Sequence, residues 1–174
     1  MKIGEQILYP MHGAGEVTDI STKDFYGEDI EYATLEIKSS GMVLQFPVKN
    51  AETLKIRPIA EKERFLNALT GKIDNHYMDS SNWNKRYQAI LEKMKMGAPE
   101  DMAEVLINLK AQDSEKSLSS GERQLFHQAL EIVASELMIS ADMSYDEAQT
   151  LIQEELEEVL FCETQQKSSE SSSR

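Results

Sequence analysis

The residues of this chain with most to offer a ligand are the six from Asn82 to Tyr87, Asn-Trp-Asn-Lys-Arg-Tyr. Trp83 is the only tryptophan, and Lys85 and Arg86 set two fixed positive charges beside it. An aromatic with cations around it suits a nucleic-acid backbone or groove, where the ring wedges against bases and the cations hold phosphates. Bond-making chemistry has no comparable candidate. His12, His76 and His127 have no cysteine, histidine or acidic partner at metal-ligand spacing. Neither a phosphate loop nor a dinucleotide fingerprint is present. His12 lies by a glycine turn without a nucleophile or an orienting group. No catalytic residue, cofactor site or metal site is expected, and the chain does not read as an enzyme.

Trp83 opens a run to Met96 in which Trp83, Tyr87, Ile90, Leu91 and Met94 recur at helical spacing. Asp79, Ser80, Ser81 and Asn82 are candidates to cap this helix, and Gly97 ends it. Arg86 and Lys93 fall beside the apolar stripe, while Lys85 projects from the far side. Two readings of Trp83 stand on these residues alone. Its register with the stripe makes it the first core residue of its helix, as large aromatics mostly are. Alternatively it is an exposed binding residue. Lys85 and Arg86 taken alone read as a solvated face.

Around this helix the chain changes period once. Residues 1–58 are rich in glycine, β-branched residues and period-2 alternation. Strands are predicted over Gln6–Tyr9, Gly15–Ile20 (Val17 and Ile20 inward), Glu31–Ile37, Met42–Pro47 and Leu54–Arg57, with a hairpin loop over Asp24–Asp29. Five short strands joined by tight turns imply a small, strongly bent sheet or SH3-like barrel whose edges must be covered or used. From Ile59 to Leu69 the pattern is helical, and Lys72–Ser81 reads as loop. Pro99, with Glu100 and Asp101, starts a helix that buries Met102, Val105, Leu106 and Leu109. Ser119 to Glu122 and Ser144 to Glu147 match capping boxes. Behind them run Leu125, Ala129, Ile132, Val133 and Leu137, then Ala148, Leu151, Ile152, Leu156 and Val159. The serine-rich end is expected to be disordered. The fold class is α+β. Residues 1–58 form the sheet domain, 59–78 a connector helix and loop, 79–162 a compact bundle of short helices, and 163–174 the tail.

Composition narrows the partners. A hydrophobic content of 40% and a charged content of 28% are ordinary for a globular protein. The net charge of −13 argues against a free-standing nucleic-acid binder, which must neutralise phosphates with Lys and Arg. Any DNA contact is expected to be local and assisted by a second partner. No apolar run is long enough to span a membrane, and the N-terminus lacks the apolar core of a signal peptide. One cysteine, Cys162, forms no disulfide framework and fits a reducing cytoplasm.

These pieces together resemble a known family. Gly4-x-x-Ile7-Leu8-Tyr9-Pro10-x-His12-Gly13-x-Gly15-x-Val17 is similar to the opening motif of the CarD/CdnL bacterial transcription regulators, a module shared with the transcription-repair coupling factor. Asn82-Trp83-x-x-Arg86-Tyr87, Ala103-Glu104-Val105-Leu106 and Leu118-Ser119-x-Gly121-Glu122 resemble the family's helical half. The resemblance runs from about Ile3 to Leu160. It implies a Tudor/SH3-like domain that docks on the RNA polymerase β subunit through Lys23, Leu35, Gln45 and Pro47. It implies a helical domain that meets promoter DNA at the upstream edge of the melted bubble through Trp83, Lys85 and Arg86, with Trp83 as a minor-groove wedge. Gln45 and Gln88 stand where some members carry a basic residue, which removes a charge from those contacts. The expected protein is a monomeric, cytoplasmic, non-enzymatic regulator that stabilises the open promoter complex, needs no cofactor and does not touch membranes. The alternative is a protein-only adaptor that uses the sheet domain and keeps Trp83 in its core.

Overall fold

The structure, a computed structural model, describes residues 1–70 and 82–171, the side chains from 163 onward excepted. Five strands are followed by five helices among these residues, the α+β architecture expected. The strands β1 (Gln6–Tyr9), β2 (Gly13–Phe25), β3 (Glu28–Ile37), β4 (Val43–Pro47) and β5 (Arg57–Pro58) form one antiparallel sheet in the order β4-β3-β2-β1-β5. Its interior holds Ile7, Val17, Ala33, Leu35, Ile37 and Phe46.

Strand β2 shows how local irregularity serves burial. Val17 and Ile20 are three apart, so strict alternation would put them on opposite faces. A bulge between Val17 and Asp19 shifts the register, so that Val17 pairs with Leu35 and Ile20 with Ala33. Both then pack against the sheet's interior. The β2–β3 hairpin is longer and its loop shorter than the sequence implies. Only Tyr26 and Gly27 turn the chain, with φ of 57° and 85°, the mirror-image geometry that matches strand twist. At Gly15 a Cβ would lie 2.1 Å from the Glu36 carbonyl oxygen of the neighbouring strand. Gly15→Ala is therefore expected to destabilise the protein by about 3 kcal/mol, because the obstacle is backbone and cannot rotate away. Urea unfolding checks this; a variant within experimental error of wild type would remove the close approach as a constraint.

The last strand departs from expectation. Val48–Asn50 forms a single turn of 3-10 helix and Lys55 adopts a φ of 57°, so pairing with β1 is limited to Arg57 and Pro58. Helix α1 correspondingly begins at Lys62 and spans Lys62–Thr70 of the described residues. The loop read over 72–81, with His76 and the cap candidates Asp79, Ser80 and Ser81, lies outside the described residues.

Helices α2 (Trp83–Met96), α3 (Pro99–Glu115), α4 (Ser120–Ser140) and α5 (Tyr145–Ser171) complete the chain. Their limits follow local rules. Pro99 occupies the first turn of α3, and Ser119 and Glu122 close a reciprocal capping box on α4. Ser144 and Glu147 exchange the same bonds at the start of α5. The helical backbone of α5 continues into the stretch expected to be disordered, since adding a residue to an existing helix fixes few further dihedrals.

The second core joins the helices to the sheet. Leu8 and Ala14, both on strands, are buried with Ile90, Met94, Leu106, Val133 and their helical neighbours. The Ala14 N–H donates to Ser135 Oγ of α4 at 2.8 Å, and Gln128 Nε2 donates to the Met11 carbonyl at 3.0 Å. A Cβ at Gly13 would lie 2.9 Å from Ser135 Oγ, so glycine there admits α4 to the sheet as well as turning the chain.

Candidate nucleic-acid interface

The N-terminus of α2 is set by Asn82, whose Oδ1 accepts from the Asn84 N–H at 3.0 Å and the Lys85 N–H at 3.4 Å. This satisfies two of the donors a helix start leaves without partners. The cap places Trp83 at the first helical position, where one turn of backbone no longer covers it. Trp83 is 41% exposed and lies outside the buried cluster that takes Ile90 and Met94. The expectation that it opens the core stripe is thus corrected: the stripe begins with half-buried Tyr87. With it goes the premise of an adaptor whose tryptophan is core.

Exposure does not leave the indole loose. Trp83 Nε1 donates to Ser119 Oγ at 2.9 Å, and its ring stacks on Tyr87 with centroids 5.2 Å apart. Gly121 lies beneath it, where a Cβ would come within 3.1 Å of Trp83 Cζ2. The ring therefore rests on the first turn of α4, with the rest of its surface open to water.

Glu122 backs this seat. It is 1% exposed, at the junction of α2, α3 and α4. Its Oε2 accepts from Ser119 Oγ at 2.6 Å and from the Ser119 N–H at 3.1 Å. Its Oε1 accepts from Arg86 Nε at 3.2 Å, Arg86 Nη2 at 3.0 Å and Gln112 Nε2 at 3.2 Å. A polar chain thus runs from the indole N–H through the Ser119 hydroxyl to a buried carboxylate. Burial pushes the Glu122 carboxyl up, but the bonds from Ser119, then from Arg86 and Gln112, outweigh it and hold it below its ordinary value.

Arg86, expected on the DNA-facing surface, is therefore turned inward by Glu122 and mostly covered. Lys93 is likewise taken up by Asp101 and Glu104 of α3. Lys85 is exposed beside Trp83. The chemistry at this end of the protein is a fixed, half-exposed indole with the exposed cation Lys85 beside it, which can press on an apolar or stacked surface near phosphate.

The residues expected to face polymerase divide. Lys23 Nζ donates to Gln45 Oε1 at 2.7 Å and lies 4.9 Å from the centroid of the Tyr32 ring. Gln45 pairs with Thr34 on β3, and Pro47 with Tyr32, so Lys23, Gln45 and Pro47 gather around β2, β3 and the edge strand β4. Leu35 does not join them. It is fully buried in the sheet's interior, one strand position from Thr34 and hence on the opposite face, so its side chain cannot meet a partner. Sequence reasoning passed over Phe25, Tyr26 and Val43, which are exposed at the hairpin tip and on β4, with Tyr26 at 96%. Two aromatics beside a turn glycine were the available signal.

Among the described residues no group of three His, Cys, Asp or Glu could hold a metal ion. No helix among them is long and apolar enough to cross a membrane.

Comparison with known proteins matches both halves. Residues 66–153 match the family model described as CarD, C-terminal domain, and residues 1–60 the model described as the CarD-like/TRCF RID domain. The chain is 30% identical over 144 residues to YdeB of Bacillus subtilis (strain 168), a candidate transcription factor by its name. That alignment covers 79% of this chain and 90% of YdeB. The solution structure of the 72-residue N-terminal domain of Myxococcus xanthus CarD matches at 22% identity, covering 33% of this chain and 77% of that one, with a TM-score of 0.30.

Proposed function

The chain belongs to the CarD/CdnL family of transcription regulators, and on that premise we propose that it docks on the RNA polymerase β subunit and stabilises the open promoter complex without catalysing a reaction. The observation that carries the reading is Trp83, seated on α4 yet exposed at a helix start. In the docked complex the indole presses into the minor groove where duplex gives way to single strands. An apolar wedge gains only at a base step that is already distorted, so it favours melted over closed DNA. Lys85 holds the helix end to phosphate without reading sequence. Arg86 acts one step back, by neutralising Glu122 under the seat. The sheet domain makes the polymerase contact around Lys23, Gln45 and Pro47. The edge of β4, bordered by exposed Val43, is available for pairing with a partner strand. The test is the lifetime of open complexes formed by purified polymerase with and without this protein; an unchanged lifetime would exclude the reading.

Charge sets the order of events. With Arg86 and Lys93 engaged by acids of the same chain and a net charge of −13, the free protein offers DNA little. Its dissociation constant for linear promoter DNA is expected to be weaker than about 100 μM at physiological salt. Docking makes the same contact intramolecular, at an effective concentration that reaches roughly millimolar. A gel-shift titration checks this, and tight binding without polymerase would contradict it.

A further inference from the structure

One charged node belongs to neither surface. Arg57 of β5 donates through Nη2 to Glu136 Oε2 at 2.9 Å and through Nη1 to Glu136 Oε1, while its Nε donates to the Gly97 carbonyl at 2.8 Å. Glu136, on α4 and 8% exposed, also accepts from the Ala60 N–H at 2.7 Å. A single ion pair thus ties together the last strand of the sheet, the segment entering α1, the end of α2 and α4. Gly97 is the left-handed cap of α2, with a φ of 67°, and a Cβ there would lie 2.9 Å from Pro10 Cγ. The C-terminal end of α2 is therefore seated on the sheet, and its other end carries Trp83. Fourteen residues separate the two ends, a rod of about 21 Å.

We propose that Arg57 is a positioning residue, which fixes the sheet against α2 and so determines where Trp83 lies once the sheet is docked. The proposal rests on the functional reading above. A bidentate guanidinium–carboxylate pair fixes orientation as well as distance, and burial makes the pair costly to part. The Ala14–Ser135 and Gln128–Met11 bonds join the sheet to α4; Arg57 adds the bond to α2. If that joint loosens, Trp83 spreads over many positions relative to the docked sheet. The fraction able to engage DNA falls, and the effect on promoter opening falls in proportion. Lysine cannot replace arginine here, since one ammonium cannot span both Glu136 oxygens and the Gly97 carbonyl in a fixed fork.

The experiment compares the full-length protein with Arg57→Lys and with the double variant Arg57→Met/Glu136→Met. The double variant removes the pair without stranding a buried charge, and such replacements commonly keep the fold. Spin labels at Lys38→Cys on the sheet side and Glu92→Cys on α2, in a Cys162→Ser background, report the spread of distances between the two bodies. A narrow distribution is expected for the parent and a broadened one for both variants. Polymerase affinity should stay within about twofold, because the docking residues are untouched. Open-complex lifetime should fall roughly three- to tenfold. Distributions as narrow in both variants as in the parent would overturn the proposal, whatever the lifetimes do. A parent protein without effect on lifetime would remove the functional reading instead, and the distance distributions would still decide the role of Arg57.

Discussion

Trp83→Ala is expected to shorten open-complex lifetime roughly 5- to 30-fold, which corresponds to about 1–2 kcal/mol of differential stabilisation. Polymerase affinity and helical content should stay close to wild type. The expectation follows from where the ring lies. A core tryptophan would cost about 3–5 kcal/mol of stability on truncation. This one is 41% exposed, contacts Tyr87 on one face and makes one hydrogen bond to Ser119. Its removal should therefore cost the fold only about 1–2 kcal/mol, from partial burial and that bond. Thermal unfolding beside a promoter-opening assay separates the two contributions. Trp83→Phe refines the test: it keeps an apolar plate and loses the N–H, so it should retain part of the opening activity. A large loss of stability with normal opening by the folded fraction would rule out the wedge.

Local rules make much of this protein legible in its sequence. The Ser119–Glu122 and Ser144–Glu147 boxes, Pro99 at a helix start and Gly97 at a helix end depend on neighbours in sequence, and all four appear where the residues indicate. What escaped was nonlocal. Arg86 could be placed on α2, but its partner Glu122 is thirty-six positions away, so an inward turn was invisible. The burial of Leu35 was legible in the alternation of β3, yet resemblance put it on the binding surface. The need for glycine at Gly13 and at Gly15 was not legible, because the helix and the strand that leave no room for a Cβ there come from elsewhere in the chain. Strand β2 past Ile20 is exposed on both faces, so it offers no alternation to read, and its loop looked longer than two residues. Trp83 shows the same division. Its helical position followed from spacing, whereas its exposure followed from how α2 meets α4.

Glu122 should prove the most sensitive residue of the helical half. Glu122→Ala strips the carboxylate from Arg86, Gln112 and Ser119 at once and removes the acid that faces a mostly covered guanidinium. Breaking a buried pair in this way costs about 3–5 kcal/mol. Glu122→Gln keeps the shape but not the charge, and should cost about 2 kcal/mol. The pH dependence has a definite sign. Burial alone would raise this carboxyl, but the Ser119, Arg86 and Gln112 bonds bring its folded value below its unfolded one. Its contribution is therefore fully present above the unfolded value and is lost as pH falls through the folded one. The stability gap between wild type and Glu122→Gln should be widest at neutral pH and shrink below about pH 4. Glu100, also held below its ordinary value by its bond to Arg64, adds an acid-side dependence of its own, so the gap rather than the absolute curve is diagnostic. The same variant should disturb Trp83. Glutamine has one acceptor oxygen for these two sets of donors. With that oxygen turned to Arg86 and Gln112 it faces Ser119 with its NH2, so the Ser119 hydroxyl loses the acceptor that directs its proton away from the indole, and the seat loses its orientation. Tryptophan emission should then shift and open-complex lifetime fall in Glu122→Gln, even at temperatures where it is fully folded. A gap that is the same at neutral and acid pH, with Trp83 emission unchanged, would show that Glu122 contributes packing alone.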